Sequence, residues 1–179
     1  MEPSSKKITS WATRLQKNDR RAAERLFDYF APRFFSFFCA RSGDRHAAED
    51  LVQDVFMKVL AKIGDYNPDR GDFSPWIWQI ARNTLIDFFR EKGRAPKVAL
   101  GAEEQLETAA AESDPDRELQ AKQIFRLVET FPEDEQEIFY LRFVADLPYG
   151  EISAVTGKSP GALRVMIHRI NRKIAAIIS

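Results

Sequence analysis

The chain has 179 residues, 44% hydrophobic and 30% charged, the balance of an ordinary globular protein of one domain or two small ones. Lys plus Arg number 27 and so do Asp plus Glu; there is one cysteine, Cys39, and only two histidines, His46 and His168. That excludes a disulfide framework and leaves a Cys/His metal centre without enough ligands, so Cys39 is expected to serve as a small buried hydrophobe. No apolar run is long enough to insert in a membrane, and "MEPSSKKITSWATRLQ" lacks the apolar stretch of a secretion signal, so a cytoplasmic protein is expected. Neither a Gly-rich phosphate loop nor a Ser/His/Asp set is legible; no catalytic residue, metal or cofactor is expected.

The zero net charge hides an alternation. Residues 96–120 hold seven acidic and two basic side chains, whereas the segments on both sides are net basic. A nucleic-acid surface needs local positive charge and not a basic total. The acidic middle, "APKVALGAEEQLETAAAESDPDRELQ", is poor in aromatics and reads as a linker over 96–118 with at most a helical turn or two. Both flanks are patterned at helical spacing and no alternating strand is legible. The expected fold is all-α: two small helical domains, 8–95 and 119–178, joined by a flexible acidic linker that lets them take variable relative positions.

Taken in order, residues 10–42 suggest two helices broken near Asn18 and Asp19, with Pro32 at a helix start or kink and the phenylalanines between Phe27 and Phe38 supplying core. Asp44 is a candidate N-cap for "GDRHAAEDLVQDVFMKVLAKI". On that helix Leu51, Val52, Val55, Phe56 and Val59 share one side, while Asp50, Gln53, Asp54, Met57 and Ala61 point away. This outer face is either a solvated acidic face or a partner surface in which carboxylates surround an exposed methionine.

The loop "GDYNPDRGDFSP" leads to a helix predicted to be capped by Ser74, started by Pro75 and ended near Lys92. Ile77, Ile80, Ala81, Thr84 and Phe88 share its inner face, with Trp78 near them. Gln79, Arg82, Asn83, Ile86 and Arg90 face outward, with Trp76 at the edge. Trp76 either packs under the loop or offers its ring to an unpaired base, since aromatic rings stack bases while arginines hold the backbone.

The last segment has the clearest signals. Pro132 and Glu133–Asp134–Glu135 mark a helix N-terminus, and that helix is predicted to end near Ala145. A short helix over 149–156, a turn at Gly157, and a helix capped by Ser159 and begun by Pro160 make a helix-turn-helix. Leu163, Ile167, Ile170, Ile174 and Ile177 form the buried stripe of the third helix. Arg164, Val165, His168, Arg169 and Arg172 point outward and are its DNA-facing candidates: the N-terminal half reads base edges and the further arginines meet phosphates. Val165 points away from the stripe, where an apolar side chain can touch a thymine methyl.

Three segments together, "GDRHAAEDLVQDVFMKVL", "NPDRGDFSPWIWQIARNTLIDFFR" and "FPEDEQEIFYLRFVADLPYGEISAVTGKSPGALRVMIHRINRKI", resemble regions 2.1–2.2, 2.3–2.4 and 4 of bacterial RNA polymerase sigma factors of the extracytoplasmic-function group. The resemblance runs nearly end to end. It implies a promoter-specificity subunit, not an enzyme, that binds core RNA polymerase and promoter DNA and helps melt the duplex. By position, Asp50, Gln53, Asp54 and Met57 would face the polymerase. Tyr66, Asn67, Phe73, Trp76, Gln79, Arg82, Asn83 and Arg90 would meet the downstream element, the loop from Tyr66 to Phe73 holding a flipped base. Lys158, Ser159 and Ala162, with Arg164, Val165, His168, Arg169 and Arg172, would read the upstream element and its backbone. The family often has polar or basic residues where Val165 and Met166 stand, so upstream readout would lean on shape and methyl contacts. No sensor domain is expected beyond Ser179, and regulation is expected from a separate anti-sigma partner. The competing reading is a helix-turn-helix regulator that does not bind polymerase; the outer faces of 50–61 and 76–90 argue against it.

Overall fold

The computed structural model describes residues 3–93 and 115–178, and every regular element among them is helical. The first four helices are α1 (Ser5–Leu15), α2 (Arg20–Ser42), α3 (Arg45–Lys62) and α4 (Phe73–Glu91). The chain breaks between α1 and α2 where predicted. Asn18 takes a positive φ of 59°, and Asp19 caps α2 by accepting from the Ala22 amide at 3.2 Å. Pro32, however, lies inside α2 and does not start a helix. The helix carries on through the missing amide hydrogen because Phe30, Phe34, Phe37 and Phe38 are all buried along it. Asp44 caps α3 as predicted, accepting from Ala47 N at 3.1 Å. Cys39 is buried, and burial pushes its thiol up to about 11, as suits an inert core residue.

Short 3-10 turns at Ile63–Asp65 and Pro68–Arg70 lead into α4. This helix begins at Phe73, earlier than predicted, with Asp72 at the N-cap and no side-chain capping bond. Phe73 is drawn into the helix by its burial against Phe30 and Tyr66. Pro75 still falls in the first turn, where no intrahelical amide donor is required. The inner face is Ile77, Trp78, Ala81, Leu85 and Phe89; Ile80 and Phe88, predicted inside, are half-buried. Trp78, 1% exposed, meets Phe34 and Phe37 edge-on with centroids 4.7 and 5.4 Å away.

The second set comprises α5 (Pro115–Glu129), α6 (Glu133–Phe139), a π turn over Tyr140–Val144, α7 (Tyr149–Thr156) and α8 (Pro160–Ile178). Most of the predicted linker, residues 94–114, lies outside the described residues. Gly157 ends α7 at φ 72°, a left-handed turn that a side chain would strain. Ser159 Oγ accepts from Ala162 N at 3.2 Å and caps α8. Leu163, Ile167 and Ile170 are buried and Ile174 half-buried, but Ile177 is 38% exposed, so the stripe stops a turn sooner than predicted. The two helical sets are in contact. The π turn packs on α2, and α7 packs on α4.

Candidate polymerase and promoter interfaces

The outer face of α3 is as the wheel predicts. Leu51, Val52, Val55 and Val59 are buried, which turns Asp50, Gln53, Asp54 and Met57 out to solvent. Met57 is 66% exposed, with Leu60 and Phe27 also uncovered nearby. Phe27 packs on Phe56, whose centroid is 4.8 Å away, so the exposed methionine adjoins an apolar strip running between α2 and α3. Carboxylates beside an uncovered apolar strip suit a protein partner better than solvent or DNA.

The α4 face and its preceding loop form a cleft of about 830 Å³ lined by Tyr66, Asn67, Arg70, Asp72, Trp76 and Gln79 among others. Trp76 is half-buried, tilted against Tyr66 and Phe73 with centroids 5.5 and 5.3 Å away. Tyr66 and Phe73 themselves are buried; their rings form the floor beneath Trp76. The Tyr66 hydroxyl donates to Gly71 O at 3.0 Å and so ties the loop back on itself. Asn67, Gln79, Asn83 and Arg90 are exposed. One edge of Trp76 is packed and the rest borders an open cleft.

The far wall of that cleft, formed by Pro148, Gly150, Glu151 and Ala154, comes from α7 and the residue before it. The contacts across it were not legible in the sequence. Arg82 forks onto Glu137, Nε to Oε1 at 2.5 Å and Nη2 to Oε2 at 3.2 Å. Gln79 Nε2 donates to Ala154 O at 3.0 Å, and the Ser74 hydroxyl donates to the Glu151 carboxylate. Ser74 thus serves a partner 77 residues away instead of capping α4. Burial pushes the Glu151 carboxyl up, against the opposing effect of the Ser74 hydroxyl. Nearby, Arg41 stacks over the Tyr140 ring, 5.1 Å from the centroid, while only 6% exposed. Its Nη1 and the Tyr140 hydroxyl find no hydrogen-bond partner among the described residues.

In the helix-turn-helix, Ser153 Oγ donates to Lys158 O at 2.7 Å and locks the turn between α7 and α8. Ser159 at the cap and Ala162, Arg164, Val165, His168 and Arg172 along α8 are exposed, and none of the three charged or ionisable members among them has an ion pair among the described residues. Lys158 pairs with Asp134 at 2.7 Å. Arg169 is partly committed: it and Lys173 hold the buried Glu135 carboxylate at 2.8 and 2.7 Å, clamping α6 to α8. Burial alone would push the Glu135 carboxyl up, but the hydrogen bonds from Lys173 and Arg169 outweigh it and hold the group below its ordinary 4.5. A depressed carboxylate stabilises the fold above the unfolded value, and that stability is lost as pH falls through the folded value. Thermal melts should therefore show the C-terminal helices weakening below about pH 4.5, and Glu135→Gln should flatten that part of the profile. An unchanged acid limb in the variant would contradict the clamp.

Residues 26–95 match the model of Sigma-70 region 2, and residues 121–174 that of Sigma-70, region 4. The chain is 32% identical to RNA polymerase sigma factor CarQ of Myxococcus xanthus over 88% of its own length and 89% of that protein's. It is 31% identical to ECF RNA polymerase sigma factor RpoE of Cereibacter sphaeroides over 83% and 82% of the two chains. Among solved structures, CnrH in complex with the cytosolic domain of CnrY shares the fold, with a TM-score of 0.69 at 21% identity over 96% of each chain. So does the sigma factor RpoE in complex with the anti-sigma factor NepR from Bartonella quintana, at 0.64 and 19% over 87% and 95%. With region 2 and region 4 in this order, and with such relatives over most of its length, the chain belongs to the extracytoplasmic-function (ECF) RNA polymerase sigma factors, initiation factors and not enzymes, which bind core polymerase and direct it to promoters.

Proposed function

We propose that this sigma factor divides its work among three outward faces. The α3 face of Asp50, Gln53, Asp54 and Met57 docks on core polymerase. Trp76, Gln79, Arg82, Asn83 and Arg90, with the loop from Tyr66 to Phe73, take the downstream promoter element as it melts. Tyr66 and Phe73 act from below, setting the tilt of Trp76, and Asn67 stands at the loop rim. On α8, Ser159, Ala162, Arg164, Val165 and His168 read the upstream element, with Arg172, Lys158 and the partly committed Arg169 near its phosphates. Strand separation draws on base stacking and polymerase contacts and not on nucleotide hydrolysis, so the protein itself needs no catalytic group. It works in the cytoplasm, where polymerase is, and an anti-sigma protein holds it inactive, as the partners of its solved neighbours suggest.

The observation that carries this reading is the uncovered acidic and methionine-bearing face of α3, on a helix whose opposite side is buried. A regulator that only bound DNA would have no use for it. Run-off transcription with core polymerase on fragmented genomic DNA tests it. Discrete start sites should appear only when this chain is added. If neither specific transcripts nor core binding is seen, the reading fails.

A further inference from the structure

We infer that α1, which lies ahead of the stretch matching region 2, is a brace for the base-holding loop: Gln16 and Thr9 are positioning residues that grip the main chain at both ends of the loop from Tyr66 to Phe73 and so tune which base it accepts. The inference deepens the proposed function, because it rests on that loop being the part of the downstream-element face that takes a flipped base.

The region 2 match starts at residue 26, after α1 has ended. Helix α1 nevertheless packs on α2 and α4 and buries Ile8, Trp11, Ala12 and Leu15. Two of its polar side chains reach the loop. Gln16, at the C-cap of α1, donates from Nε2 to Ile63 O at 2.9 Å and to Tyr66 O at 2.6 Å, one amide hydrogen for each carbonyl. Thr9 Oγ1 accepts from Phe73 N at 3.3 Å. All three partners are backbone groups, so the grip does not depend on which side chains the loop carries. Residues 67–72 are exposed and free to present theirs to a base.

The loop's own bonds give it shape but not placement. Asn67 Oδ1 accepts from Asp69 N at 2.9 Å, Arg70 N donates to Asn67 O at 3.1 Å, and the Tyr66 hydroxyl donates to Gly71 O. Each of these bonds begins and ends inside the loop. The loop is thus a small closed unit hung from two buried anchors, Tyr66 and Phe73, and α1 holds the backbone of both. Thr9 and Gln16 are seven residues apart, two turns on one face of the helix. That length of helix is a stiff spacer of about 10 Å and fixes the separation of the two grips. The anchors matter beyond the loop, because their rings form the floor beneath Trp76. Moving either grip therefore shifts both the loop rim at Asn67 and the ring beside the open cleft. Hydrogen bonds to a captured base weaken steeply with misplacement, so a shift of about 1 Å costs selectivity before it costs folding.

The test uses holoenzyme assembled from core polymerase and the full chain. The probe is a promoter taken from the run-off start sites, prepared with each of the four bases at each melted position. Single-round transcript yield with the preferred base, divided by the mean yield with the other three, is the selectivity at that position. Gln16→Glu keeps the size of the side chain but turns its donor into a carboxylate facing two carbonyls, and Thr9→Val removes the acceptor from Phe73 N. Each should lower selectivity at one melted position by roughly threefold or more, the effect of a lost hydrogen bond. Thr9→Ser, which keeps the hydroxyl, should retain wild-type selectivity, and Lys6→Gln on the exposed side of α1 should change nothing. Asn67→Ala, on the loop rim, probes the loop without touching α1 and should lower selectivity at the same position. Circular dichroism and core pull-down confirm folding and assembly, and Gln16→Leu reads the same ratio should Gln16→Glu misfold. Yields that fall equally with all four bases in the Gln16 and Thr9 variants overturn the brace. So does wild-type selectivity in those variants when Asn67→Ala loses it, and the loop assignment then stands. Wild-type selectivity in all of them, Asn67→Ala included, overturns the loop assignment and the brace with it.

Discussion

Trp78→Ala is expected to lower the unfolding free energy of region 2 by about 3–5 kcal/mol, the cost of truncating a fully buried tryptophan. The side chain is 1% exposed and wedged between Phe34 and Phe37, so no solvent-facing rearrangement can refill the space. Trp76→Ala, two residues away, should behave differently. Its ring is half-buried and has the Tyr66–Phe73 floor on one side only, so its loss should cost roughly 1–2 kcal/mol of stability. Its effect on promoter opening should be larger in proportion, because base–aromatic stacking contributes about 1–3 kcal/mol per base, roughly a 5- to 150-fold change in open complex. Denaturant titration measures the first quantity, and permanganate reactivity of promoter thymines measures the second. A Trp76→Ala protein that is less stable but opens promoters normally would reduce Trp76 to a packing residue.

The contrast between these two tryptophans shows what the sequence could and could not reveal. Helical periodicity put Trp78 inward and Trp76 at the edge, and both positions hold. Caps and turns were legible for the same local reason: Asp19, Asp44, Gly157 and Ser159 act within four residues of themselves. Ser74 was misread as a cap because its hydroxyl has a partner that no nearby residue announces. The pairing of Arg82 with Glu137 and the stacking of Arg41 on Tyr140 are invisible for the same reason, being contacts between residues far apart in the chain. The π turn at Tyr140–Val144 likewise sits where the segment packs on α2, not where any local breaker occurs. Hence the composition of each candidate face could be read from the sequence, but whether the face is covered could not.

That distinction makes the α3 face the most decisive surface to alter, because it is both legible and uncovered. Asp54→Arg should weaken binding of core polymerase by roughly 30-fold or more, since a like charge placed in a complementary interface costs several kcal/mol. Met57→Ala should weaken it less, by the loss of one exposed apolar contact. Asp54 is exposed and has no ion pair among the described residues, so the substitution should leave stability within about 0.5 kcal/mol of wild type. On the proposed division of faces it should also leave double-stranded DNA binding by α8 unchanged, because α8 lies in the other helical set. Pull-down of core polymerase and a mobility shift on an upstream-element duplex, run on the same preparation, separate the two effects. Retained core binding and retained transcription by Asp54→Arg would remove polymerase docking from this face. The acidic carboxylates would then be a solvated surface, and the polymerase contact would have to be sought on the apolar strip of Phe27 and Leu60 alone.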